Sequence, residues 1–288
     1  MNTKHLHQIV PAILAAGFLV AACGTASAQS ILLSDTFNTG GASGSVDSFN
    51  GSAASRQTGS SLAGTGYFSK GAYQNINDNQ VVFQPAGWPS PVNGFGRLVI
   101  DHNFTDAAIT TSGGFTISYN YFVPASASGS DNWLAIMVGQ TSGTVNTDSS
   151  AQVVDSGSDF GMLLRGNGGY DSFNGGGGDN SGTTALNYGT TAKQVVLTIL
   201  TTSFASGNSA TISATVNGSA IDLNGAAVGN DRVITWDAGG ANYIQFEDYN
   251  NDGYGMNNLV ISTVPEPGTM ALAALGGASL LFWRRRSK

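Results

Sequence analysis

The stretch Phe115-Thr116-Ile117-Ser118-Tyr119-Asn120-Tyr121 decides the fold. Apolar and polar residues alternate through it without a break, so one face is aromatic and aliphatic and the other polar. Successive side chains of a strand point to opposite faces, and one face of each kind describes a strand buried on a single side, as in antiparallel sheets. Shorter β-type runs flank it at 31–37, 80–84, 97–101, 133–138, 160–165, 194–201, 210–217, 243–247 and 259–263, with this stretch extending over 115–123. Between them lie clusters of Gly, Asn, Ser and Asp, residues whose backbone preferences favour turns. Val216-Asn217-Gly218-Ser219 is a hairpin signal, because Asn-Gly accepts the positive φ angles of a two-residue turn. No helical period is sustained and no fixed-length repeat is evident between 29 and 263. Many short strands without helices between them predict an all-β, antiparallel sandwich or barrel in one domain. The Gly/Ser-rich stretch 40–66 reads as a long loop or an excursion across that domain, and the Gly-rich run 166–182 as a mobile loop at its tip.

Composition narrows the function. Only 10% of the 288 residues are charged while 41% are hydrophobic, which gives material for a core and argues against charge-driven disorder. Six basic residues stand between 29 and 263 against seventeen of the eighteen acidic ones. A nucleic-acid partner is therefore excluded, since phosphates need a basic face, and cations suit this surface better. Cys23 is the only cysteine, so no disulfide is expected. His102 is the only histidine in this region, too few for a zinc site built on histidine or a nucleophilic triad, and Asp101-His102-Asn103 reads as a polar strand end.

Both ends read as addresses. Lys4 precedes an apolar run over 9–22, and Ala26-Ser27-Ala28 supplies the small-x-small pattern of a signal peptidase site, so 1–28 is expected to be a secretory signal helix cleaved after Ala28. Val20-Ala21-Ala22-Cys23-Gly24 offers a competing reading as a lipidation site at Cys23. At the other end, Val264-Pro265-Glu266-Pro267 is followed by an apolar stretch over 268–283 and then Arg284-Arg285-Arg286. The prolines end any strand, the apolar stretch can form a membrane helix, and the arginines should stay cytoplasmic. Residues 264–288 thus form a third segment beside 1–28 and 29–263.

That tail resembles the PEP-CTERM sorting signal, with Pro265, Glu266, Pro267, the apolar helix and Arg284, Arg285 and Arg286 in order. The resemblance implies an exosortase-type membrane enzyme as partner, transient residence in the inner membrane, and delivery to the cell surface or extracellular matrix, where such proteins associate with exopolysaccharide and biofilm. In the central region, Asp35-Thr36-Phe37, Arg56-Gln57-Thr58-Gly59, the Asn217-Gly218 hairpin and the closing Asn257-Asn258-Leu259-Val260-Ile261 resemble concanavalin A-like lectin/glucanase sandwiches, the jelly-roll class that includes laminin-G-like domains. That resemblance implies a two-sheet sandwich.

Chemistry has three candidate seats. Asp248-Tyr249-Asn250-Asn251-Asp252-Gly253 spaces oxygen side chains as in the first half of a calcium loop, with Tyr254 able to add its carbonyl. The closing acid is missing, because Leu259 holds its place, with Glu247 or Asn257 as substitutes; the same residues also suit a plain turn. A sugar platform is the second, since an exposed flat ring can cover the apolar face of a pyranose: Trp88, Tyr249 and Tyr254 are the candidates, whereas Trp133 and Tyr243 look like core. Glycoside hydrolysis is the third. It normally needs two flanking carboxyl groups, and with only Glu247 and Glu266 as glutamates the Glu-x-Asp-x-Glu strand of the glucanases is absent. The sequence therefore predicts a non-enzymatic exported protein, with a calcium-dependent carbohydrate-binding module as the alternative and a glycan hydrolase behind it.

Overall fold

A computed structural model describes residues 29–37, 47–48, 66–69, 74–77, 80–83, 95–123, 133–143, 157–174, 180–184, 189–225, 228–237, 239–249 and 255–265. The expected signal helix with Ala26 and Ala28, Cys23, Trp88, Asn250, Asp252, Tyr254, and the tail from Glu266 and Pro267 through Arg284, Arg285 and Arg286 lie outside the described residues. Ser30–Val264 forms one compact unit. Among the described residues no helix is long and apolar enough to cross a membrane.

The alternating stretch is the centre of the first sheet. It forms a ten-residue strand, Gly114–Val123, whose odd-numbered positions from Phe115 to Val123 are buried while Thr116, Ser118, Asn120 and Phe122 are half-buried. On one side it pairs with Gly189–Leu200 and on the other with Gly255–Thr263, placing Ile117 level with Leu197 and Ile261. In chain order the strands of this sheet are β1 (Ile31–Asp35), β2 (Asp47–Ser48), β4 (Gln74–Asn77), β5 (Gln80–Phe83), β7 (Gly114–Val123), β12 (Gly189–Leu200), β13 (Ser209–Val216), β14 (Ser219–Ile221), β15 (Arg232–Thr235) and β17 (Gly255–Thr263). Its order is β14-β13-β12-β7-β17-β5-β4-β2, with β1 on β17 and β15 on β13. The second sheet runs β11-β10-β9-β8-β16-β6-β3, where β3 is Gly66–Ser69, β6 Phe95–Asp101, β8 Trp133–Gln140, β9 Phe160–Arg165, β10 Gly169–Phe173, β11 Asn180–Thr183 and β16 Tyr243–Tyr249. Every pairing is antiparallel among the described residues.

The sheets share one core. Ile117, Tyr119, Tyr121, Leu197, Ile199 and Ile212 from the first meet Leu98, Ile136, Val138, Met162, Leu164 and Phe246 from the second. Each such aliphatic side chain removed from water contributes about 1.5–3 kcal/mol against leaving it exposed. Tyr119 meets Phe246 edge-on at 5.3 Å between ring centroids, and the Tyr121 hydroxyl donates to the Leu164 carbonyl at 3.0 Å, so ring and hydroxyl contacts also join the layers. This is the predicted antiparallel sandwich. The Asn217-Gly218 turn is also as predicted: φ is 50° and 77° at these residues, and Val216 pairs with Ser219.

Two expectations need correction. The Gly-rich run 166–182 is not one loop, because β10 and β11 form within it and β10 continues the sheet from β9. A short helix, α1 (Ala107–Ser112), also interrupts the strands; Gly113 ends it at φ 87° and gives its N–H to the Ile109 carbonyl, a common helix stop. At the edge of the unit, Ser30 and Thr263 are tied twice: Ser30 N–H donates to the Thr263 hydroxyl at 3.0 Å, and Thr263 N–H to the Ser30 carbonyl at 2.9 Å. The next residue, Val264, donates its N–H to the Gly114 carbonyl.

Candidate functional site

Of the residues singled out from the sequence, Glu247, Asp248 and Tyr249 stand at the end of β16. This strand runs two residues past its predicted end, so Asp248 lies inside it, level with Gly96 of β6 and Leu134 of β8. Asp248 is fully buried. The local spacing made it the first ligand of an open calcium loop, but a neighbour on each side draws it into the sheet instead. The two substitutes for the missing acid are also engaged. Glu247 accepts from Arg97 Nε at 3.0 Å and Nη2 at 2.9 Å, and the Asn257 side-chain oxygen accepts from Asn120 at 3.0 Å. Among the described residues no cluster of three His, Cys, Asp or Glu side chains could hold a metal ion. The other residues of that loop, Asn250, Asp252 and Tyr254, lie outside the described residues.

Tyr249 takes up the alternate face. It is half-buried and stacks on Trp133 with centroids 5.8 Å apart and planes 27° from parallel. Trp133 is buried, as predicted, but on the outer face of the second sheet, where Ala135, Met137 and Leu163 join it and Phe173 packs alongside. Tyr243 is half-buried. Trp236 lies in the main core with its indole N–H on the Thr201 hydroxyl at 3.0 Å. The outer face that holds the Trp133 stack also carries the Arg97–Glu247 pair, both residues at 0% exposure. Each ion taken from water costs several kcal/mol, so this pair persists through its two hydrogen bonds. As a carboxylate held by Arg97, Glu247 is not an open acid or base. His102 follows β6 and bonds Asp106 at 2.9 Å, a polar strand end as read from the sequence.

A second location was not visible in the sequence. β11 and β14 are edge strands of the two sheets, and between them lies a cleft of about 300 Å³. Val216, Ile221 and the buried ring of Tyr170 give it apolar lining; Thr183, Ser219, Asn230 and Asp222 give it polar lining. The Tyr170 hydroxyl and the Asn180 amide both donate to the Asp222 carbonyl, at 2.9 and 2.6 Å, and the Ser172 hydroxyl donates to the Leu223 carbonyl at 2.7 Å. Arg232 Nη1 adds donors to the Ser172 and Leu223 carbonyls. The segment after β14 therefore stitches one sheet to the other beneath the cleft. Burial, reinforced by the Asp222 carboxylate, pushes the Tyr170 phenol up from its ordinary value and keeps it a neutral donor. Gly182 of β11 leaves room for Tyr170, since a Cβ there would run into the Tyr170 hydroxyl.

Residues 263–286 match the family described as the PEP-CTERM protein-sorting motif. No curated protein matches the chain. Among solved structures, the chain is similar to the potassium-bound carbohydrate recognition domain of Emp46p, with 11% identity and a TM-score of 0.46 over 69% of this chain and 87% of that one. It is also similar to lectin UEA-II complexed with galactose (12%, 0.45, 71% and 94%) and to carbohydrate-binding module CBM66 from Bacillus subtilis (9%, 0.38, 68% and 95%). The two-sheet fold rests on the strand pairing and shared core described above.

Proposed function

Because the chain is an exported protein whose PEP-CTERM sorting motif directs it to the cell surface or extracellular space, we propose that its sandwich serves there as a non-enzymatic surface or matrix protein associated with exopolysaccharide. In this reading residues 1–28 are the signal removed after Ala28, 29–263 is the working domain, and an exosortase-type membrane enzyme processes 264–288 at Pro265-Glu266-Pro267. One observation supports it best. The match begins at residue 263, the last residue of β17, so the folded unit passes into the sorting motif without a linker. The buried Arg97–Glu247 pair supports the non-enzymatic part, because it takes up the one glutamate of 29–263. With Asp248 inside β16, association is proposed to be independent of calcium.

The test compares wild type with Glu266→Ala in the native host. Wild type should be released without Trp283 and the three arginines, as read by mass spectrometry, and should co-sediment with the host's extracellular polysaccharide in the presence of EDTA. The variant should remain in the membrane fraction with its tail intact. Normal release of Glu266→Ala, or wild type that does not sediment with polysaccharide, overturns the reading.

A further inference from the structure

We propose that the cleft between β11 and β14 binds one unit of a neutral polysaccharide and discriminates against acidic glycans, an inference that rests on the polysaccharide reading above and supplies its site and ligand class. Its volume of about 300 Å³ lies at the lower end of ligand pockets, enough for one sugar ring with its neighbours outside. Its lining is amphipathic in the way a pyranose is. The edges of Val216, Ile221 and Tyr170 that reach the cleft offer apolar contact to the C–H groups of a sugar. Among the described residues the side chains of Thr183, Ser219 and Asn230 make no hydrogen bond within the protein, so donors and acceptors stand ready for hydroxyl groups.

Asp222 sets the charge. Its Oδ1 accepts the backbone N–H groups of Asn224 at 3.1 Å and Gly225 at 2.9 Å, which fixes the carboxylate and leaves Oδ2 for a ligand hydroxyl. A hydrogen bond to an ionised acceptor is about twice as strong as one between neutral groups. Among the described residues Asp222 is the only charged one in the lining, with Arg232 turned to the Ser172 and Leu223 carbonyls, so a uronate or sulfate would meet like charge there. The walls come from different sheets but are already joined through Tyr170, Asn180, Ser172 and Arg232, so little ordering remains for binding to impose.

The experiment uses the full chain in detergent, titrated with neutral hexose oligosaccharides and with oligouronates. Ala220 is exposed on β14 and lines the cleft, so Ala220→Trp fills it from the surface. Wild type should bind neutral oligosaccharides at least about tenfold more tightly than oligouronates. Ala220→Trp should lose about tenfold or more of that affinity, and Ser219→Ala with Asn230→Ala about three- to tenfold. Asp222→Asn should narrow the gap between neutral and acidic ligands, a change that a merely structural role would not produce. Wild-type affinity in a folded Ala220→Trp, checked by circular dichroism, overturns the cleft while leaving the polysaccharide reading in place. Preference for oligouronates overturns it equally. Wild type that binds no glycan overturns both.

Discussion

The outer faces of the two sheets behave differently. On β7 of the ten-stranded sheet the outward side chains are the half-buried Thr116, Ser118, Asn120 and Phe122; Thr116 meets Ser262 at 2.9 Å and Asn120 meets Asn257 at 3.0 Å. On the seven-stranded sheet the outward side chains Trp133, Ala135, Met137, Leu163, Arg97 and Glu247 are buried, with Phe173 and Tyr249 half-buried against them. The first face is a polar ladder. The second is a small second core with an ion pair in it. A strand alternating with polar residues can therefore be placed from its own residues, whereas a continuous run such as Trp133-Leu134-Ala135-Ile136-Met137-Val138 signals burial on both sides without saying what lies on the second.

The sharpest test of that contrast is the ion pair. Arg97→Ala should cost about 3–5 kcal/mol in urea unfolding, because it strands a buried carboxylate, while Arg97→Met with Glu247→Leu should recover most of the loss. A cost below about 0.5 kcal/mol, the range of surface substitutions, would mean that this face is wet. Leu163→Ala should cost about 2–5 kcal/mol by leaving a cavity, and Ser118→Ala on the other sheet about 0.5 kcal/mol or less. Equal losses in those two variants would erase the distinction. Gly218→Ala should cost about 1 kcal/mol on the ten-stranded side, since φ is +77° there. A last effect, a gain rather than a loss, concerns the face both sheets share. Among the described residues the buried Tyr119 hydroxyl has no hydrogen-bond partner, so Tyr119→Phe should raise stability by about 1 kcal/mol at neutral pH. Burial also pushes the Tyr119 phenol well above its ordinary value of 10.0. The unfolded chain then loses this proton first, so the contribution is intact below pH 10 and declines as pH rises further. Tyr119→Phe should flatten that decline in unfolding curves taken at alkaline pH.

The same contrast explains what could be read beforehand. The β7 alternation and the Asn217-Gly218 turn are local signals, and the structure carries both as expected. β10 was hidden because its sequence, Gly-Tyr-Asp-Ser-Phe, sits in a run of glycines and becomes a strand through pairing with β9 and β11. The extent of β16 was hidden for the reverse reason: the local spacing after Glu247 suggests a loop, while Gly96 and Leu134, far away in sequence, hold Asp248 in a sheet. Tyr249 was selected for exposure, and its stack on Trp133 depends on cross-strand register, which the sequence does not display. The cleft was out of reach altogether, because Thr183, Ser219, Asp222 and Asn230 are dispersed polar residues that only the meeting of two sheet edges gathers.

β1 finds its partner in β17, and the Ser30–Thr263 tie spans 233 positions of sequence. As the chain is threaded outward from its beginning, Leu33 must wait for Ile261 until nearly every other strand has passed through. Ile261 arrives only four positions before Pro265 opens the Pro265-Glu266-Pro267 triplet. Closure of the sheet and arrival of the sorting motif thus become almost one event: until β17 has emerged, β1 lacks the strand it pairs with.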